Sequence, residues 1–109
     1  GISQCTYHLI FLQKAIRVDI EFARKDAVEN KQLFDFFYAR KNEIEHKFGQ
    51  PLEWLRLDAK KSSRIEFILN TDGHNQDLWQ SHIAWHLEHI QKLEQAFKPY
   101  MNEAYQVIK

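Results

Sequence analysis

The chain predicts an α+β domain, a mostly antiparallel four-stranded sheet with two long helices packed on one face, in the order ββαββα. Three observations carry this prediction. Two segments alternate apolar and charged residues with the period of a half-buried strand: Ile16, Val18, Ile20 and Phe22 against Arg17, Asp19 and Glu21, then Ile65, Phe67 and Leu69 against Arg64 and Glu66. Two longer segments carry apolar residues at helical spacing. Three glycines and two prolines in 109 residues leave little chain for loops.

The first hairpin is expected within Thr6 to Phe22. Tyr7 to Leu12 is almost wholly apolar, as in a strand covered on both faces, and its joint at Gln13-Lys14 lacks the usual Gly, Asn or Asp. A helix follows from Asp26 to Phe48. Asp26 with Glu29 forms a capping-box-like start, Gly49 suits the left-handed position past the end, and Pro51 blocks continuation. Leu33, Phe37, Ile44 and Phe48 mark its apolar face. Leu52 to Leu57 and Ser63 to Leu69 form the second hairpin, and Asn70-Thr71-Asp72-Gly73 is a turn. From Asp77 to about Ile108 the chain is again helical. Trp79, Ile83, His86, Ile90, Leu93, Phe97, Met101, Ala104 and Ile108 fall near one line of the wheel, with a bend expected near Gln95 to Pro99.

Composition narrows the function. Fifteen basic residues balance fifteen acidic ones, so the surplus that drives dedicated nucleic-acid binders is absent and any such role needs a local patch. A single cysteine, Cys5, excludes an internal disulfide and suits a reducing, cytoplasmic setting. No apolar run approaches the ~20 residues of a membrane span. Gly1 in place of an initiator methionine suits a tag scar or a piece of a longer protein.

Five groups of residues invite a chemical reading. His82, His86 and His89 stand at i, i+4 and i+7, a spacing that can place imidazoles on one helical face for zinc. No Glu follows His82, however, and His86 lies in the apolar stripe, where a hydrogen-bonded core histidine is commoner, so no metal or other cofactor is expected. Asp19, Glu21 and Glu66 are carboxylates able to share a sheet face, but Arg17 and Arg64 interleave with them as on an ordinary solvated surface. Asp58-Ala59-Lys60 has the D-x-K spacing of restriction-type nucleases, yet lies in a turn where Asp and Lys are ordinary. Arg56, Lys60, Lys61 and Arg64 form a basic cluster with Trp54 nearby, the makings of a phosphate contact with a stacked base or simply a solvated hairpin tip. Lastly, Leu78, His82, Trp85, His89 and Ala96 form a second apolar stripe beside the first on the long helix, displaced by ~100°. That surplus predicts an interface, with Leu78, His82, Trp85 and His89 its candidate residues, unless packing against the first helix absorbs it. Cys5, on an apolar strand, is expected to be inert.

Taken together, Arg17-Val18, Asn30-Lys31, Phe34-Asp35, Lys41 with Ile44-Glu45, Phe48-Gly49, Leu52 with Trp54, Lys60-Lys61-Ser62-Ser63-Arg64-Ile65, Trp79, Trp85 with Leu87, and Phe97 with Pro99 resemble an uncharacterised family of bacterial and archaeal domains of unknown function, the DUF4268 type. The resemblance covers the chain from about Ile16 onward. It implies an accessory module, often C-terminal to an endonuclease-like domain, and carries no established functional residues with it.

The resulting expectation is a non-catalytic interaction module that forms a homodimer or docks on a neighbouring nuclease-like domain, with no membrane partner. The alternatives are a nucleic-acid-contacting accessory domain using the basic hairpin, and a small metal-dependent hydrolase using the histidines or strand carboxylates.

Overall fold

The computed structural model describes residues 2–109. Strands β1 (Cys5–Phe11), β2 (Ala15–Phe22), β3 (Glu53–Leu55) and β4 (Ser63–Asn70) form one sheet in the order β1-β2-β4-β3, with every neighbouring pair antiparallel. The helices are α1 (Ala27–Tyr38), α2 (Lys41–Phe48), α3 (Trp79–Phe97) and α4 (Met101–Ile108). The predicted four-stranded antiparallel sheet and its helical layer are present, but the order is ββααββα, with the last helix bent.

The two-residue alternation does what it implies in β2. Ile16, Val18, Ile20 and Phe22 are fully buried under the helices, and the register places Ile20 against Ile65 and Val18 against Phe67 on β4. Phe37 of α1 joins this layer. Its ring stacks on Phe22 at 5.6 Å and meets Phe97 of α3 edge-on at 5.1 Å, so one side chain ties sheet, α1 and α3 together.

The single helix expected over residues 26–48 is two helices. No Gly or Pro marks the break. Instead the Arg40 guanidinium donates to the Phe36 carbonyl at 2.9 Å and lies 3.7 Å over the Phe36 ring, satisfying the end of α1 from its own side chain. Tertiary packing sets the change of direction: α1 packs against α4, α2 against α3. The Asp26 cap forms as expected, accepting from the Val28 N–H at 2.8 Å, but Glu29 pairs with Arg24 rather than closing a capping box. Gly49 ends α2 at φ 97°, a left-handed conformation that costs glycine little.

Pro99 acts as the proline rule requires. It sits in a 3-10 turn, Lys98–Tyr100, between α3 and α4. The turn between β1 and β2, which lacks the usual residues, is held from outside. The N–H groups of Thr71 and Gly73 donate to the carbonyls of Lys14 and Gln13 at 3.1 and 3.3 Å. Gly73 is required there, since a Cβ would stand 2.0 Å from the Leu12 carbonyl oxygen. β1 departs from expectation. It is not covered on both faces but forms a sheet edge, with Leu9 and Phe11 exposed.

Candidate functional site

Three regions hold the residues singled out above. The first is the open face of the sheet, where the register aligns His8, Asp19, Glu66 and Glu53 across all four strands. Asp19 and Glu66 face each other yet are only 1% and 2% exposed, so the solvated surface expected here is a covered polar row. Both carboxylates are paired. Asp19 accepts from His8 Nδ1 at 2.8 Å and from Arg17 Nε at 3.1 Å, and Glu66 accepts from Arg64 Nε. The pairing meets the demand that buried charge be neutralised and hydrogen-bonded. It consumes both carboxylates and both arginines within the sheet.

The second region is the β3–β4 loop with the basic cluster. Arg56 is a bidentate partner of Asp35, at 2.9 and 3.0 Å, and also binds Asp58. Arg64 is held by Glu66. Only Lys60 and Lys61 extend free, exposed ammonium groups, so the cluster read as four basic side chains supplies two. Trp54 is not a stacking platform. Its indole N–H donates to Glu45 at 3.0 Å and its ring packs among Phe34, Tyr38 and Phe97. Asp58 of the D-x-K string is the exposed partner of Arg56.

A residue the sequence reading used only as a family mark organises this loop. The Lys31 ammonium, reaching from α1, donates to the carbonyls of Arg56, Leu57 and Ser62 at 2.5, 2.9 and 2.7 Å and to Ser63 Oγ at 2.9 Å. Burial holds its pKa below the ordinary lysine range. Beside it, Asn30 is fully buried, accepts from the Arg24 N–H and donates to the carbonyls of Arg24 and Lys61. The adjacent pair therefore clasps the loop to the helix. Its only sequence signal is an amide and an amine at neighbouring positions of α1, beside the apolar face that Leu33 and Phe37 mark.

The third region is α3. His82, Trp85 and His89, expected to face a partner, turn toward the sheet. His82 and His89 are buried, and Trp85 stacks on Phe67 at 5.8 Å and on His89 at 4.4 Å. Only Leu78 of the four is exposed. The sheet absorbs the second stripe because Phe67 of β4 supplies a flat apolar seat for it. The three imidazoles do different things. His86 Nε2–H donates to the carbonyls of Ile10 and Arg17 at 3.2 Å each. His89 Nδ1–H donates to the Trp85 carbonyl at 2.7 Å, and His82 Nε2 lies 3.3 Å from Thr71 Oγ1. Among the described residues, no three His, Cys, Asp or Glu side chains converge where a metal could sit.

What α3 leaves to solvent is the opposite flank of the first stripe. Trp79, Ile83 and Leu87, at i, i+4 and i+8, are 56%, 47% and 53% exposed. They run beside the edge strand, where Leu9 and Phe11 are exposed on the helix-bearing face and Phe11 shares a depression with Trp79. Cys5 and Tyr7, at the other end of β1, border a cleft of about 450 Å3 with Glu94, Lys98 and Met101. Burial pushes the Cys5 thiol up to about 11, only partly offset by Arg24, so no thiolate is on offer at neutral pH. Burial, helped by Glu94, likewise raises the Tyr7 phenol. None of these groups is an activated nucleophile beside a base.

Residues 1–101 match the family model for a domain of unknown function, DUF4268. The chain belongs to the DUF4268 family. No curated protein and no solved structure is significantly similar to this DUF4268 domain. No helix of the described residues is long and apolar enough to cross a membrane.

His86 gives the DUF4268 domain a defined acid response. Burial lowers its pKa, opposed by its bonds to the Ile10 and Arg17 carbonyls and reinforced by His82 and His89. The folded state thus binds fewer protons than the unfolded chain, whose histidine titrates near ~6.5. Stability is full above that pH and falls as pH drops through the interval down to the folded value, by at most ~1.4 kcal/mol per pH unit for this one proton. In urea unfolding at pH 7.5 and pH 5, His86→Gln, which still donates but does not titrate, is expected to show the smaller acid loss. An equal loss in both proteins would place the acid sensitivity elsewhere.

Proposed function

We propose that this domain is a non-catalytic interaction module that associates with a second copy, or with a neighbouring nuclease-like domain of a longer chain, through the apolar flank of α3 and edge strand β1. The observation that supports the reading is the line of Trp79, Ile83 and Leu87 continuing onto Phe11 and Leu9, an exposed apolar surface of the kind that marks protein contacts. The pairing of each buried carboxylate and the raised thiol argue for a structural rather than a chemical role. With Arg56 and Arg64 held by carboxylates, phosphate binding would rest on Lys60 and Lys61, too little charge for strong electrostatic attachment.

The test is solution mass by light scattering, for the domain alone and mixed with the rest of its native gene product, beside Ile83→Lys. Wild type should associate in one of the two settings, and Ile83→Lys should weaken that association at least ~10-fold, the cost of placing one charge in an apolar contact. Its circular dichroism should be unchanged, because Ile83 points to solvent. Association indifferent to Ile83→Lys, or absent in both settings, would count against the module.

A further inference from the structure

We infer that β1 pairs antiparallel with β1 of a second copy, Leu9 opposite Leu9, joining two four-stranded sheets into one. The inference rests on the module reading above and names its partner.

The hydrogen-bond alternation of the hairpin shows which groups are free. The Leu12 N–H donates to the Ala15 carbonyl and the Ala23 N–H to the Gln4 carbonyl, at 2.8 and 2.9 Å. Even-numbered positions on this strand therefore face β2, as the register through Thr6, His8 and Ile10 requires. Tyr7, Leu9 and Phe11 turn their N–H and C=O groups outward. Among the described residues, none of these three amides donates to a turn, loop or cap. Their side chains lie on the helix-bearing face, so the unpaired backbone and the exposed apolar surface belong to the same residues.

Natural sheet edges are protected by lysine, proline, inward charge or a bulge. β1, Cys-Thr-Tyr-His-Leu-Ile-Phe, has none of the first three and pairs with β2 in unbroken register. His8, its one basic side chain, points to the other face and is bound to Asp19. Two copies therefore meet without like-charge repulsion, and the chain as a whole carries no net charge.

A second copy suits the edge because its pattern is symmetric about Leu9. Antiparallel pairing centred there sets Tyr7 opposite the second copy's Phe11 and Leu9 opposite Leu9, on one face, at hydrogen-bonded positions. The flanks of α3 then cover the joint from the same side. Leu9, Phe11, Trp79, Ile83 and Leu87 each expose two-fifths to just over half of their surface. With an aromatic side chain contributing up to ~200 Å2, that is on the order of 500 Å2 per copy. Doubled, it reaches the roughly 1,000 Å2 expected of a specific interface.

The experiment measures mass against protein concentration for wild type, Leu9→Pro and Ile83→Lys, with amide exchange followed on the wild type. Proline at position 9 removes an outward N–H and leaves the bonds to β2 intact. A wild-type dimer, a folded monomeric Leu9→Pro, and Tyr7, Leu9 and Phe11 amides whose exchange slows at least tenfold with rising concentration are the expected results. The exchange measurement decides the matter alone if Leu9→Pro does not fold. A wild type that is monomeric at every concentration overturns the pairing, while the module reading survives if the neighbouring domain binds. A dimer that persists in folded Leu9→Pro but fails in Ile83→Lys also overturns it and leaves the α3 surface standing.

Discussion

Lys31→Met is expected to destabilise the domain by about 2–3 kcal/mol, the scale of losing a charged donor to several enclosed acceptors. Methionine matches the stem of lysine but offers no donor. The carbonyls of Arg56, Leu57 and Ser62 and the hydroxyl of fully buried Ser63 would lose their common partner. Ser63 Oγ already donates to the Arg56 carbonyl, so it cannot replace the ammonium for the other two. Leu57 adds to the effect. It sits at φ 57°, a left-handed conformation unfavourable to leucine, and its carbonyl is one of those Lys31 holds. A urea midpoint series gives the answer, with the slope checked for constancy. A loss below ~0.5 kcal/mol, the range of ordinary surface changes, would mean that water replaces the ammonium and the clasp is incidental.

Phe37→Ala should cost about 3–5 kcal/mol, the range for truncating a buried phenylalanine whose cavity cannot collapse. Phe37 is fully buried and touches the rings of Phe22, Phe36 and Phe97, each on a regular element and unable to move in alone. For a domain of this size that is a large share of the total stability. Thermal unfolding would show a midpoint lowered by well over ten degrees at the ~4–8 °C per kcal/mol expected for small domains. A shift of only a few degrees would show that α1 can settle onto β2 without the ring. Neither substitution touches the β1–α3 surface, so mild enough replacements at these positions should leave association unchanged.

The parts governed by local rules are legible in the residues alone. Alternation at residues 16–22 and 63–69 placed two strands and their buried faces, because a period of two allows only one assignment once one face is apolar. Asp26, Gly49 and Pro99 marked a helix start, a helix end and a bend, because each acts through its own backbone or nearest neighbours. Tertiary structure decided what depends on distant partners. The break after Tyr38 has no local signal, since it follows from α1 and α2 packing on different helices. The turn at Gln13-Lys14 is held by Thr71 and Gly73, far along the chain. Four basic residues became two free ones because Asp35 arrives from α1 to hold Arg56, while the folded sheet turns Glu66 beside Arg64 on β4 itself. The apolar surplus of α3 was legible, but not which flank stays exposed. Phe67 seats Trp85 and His89, while β1, placed at the edge by strand order, leaves Trp79, Ile83 and Leu87 uncovered. A helical wheel fixes angles within one helix. Only the packing of sheet and helices fixes which of those angles meets protein and which meets water.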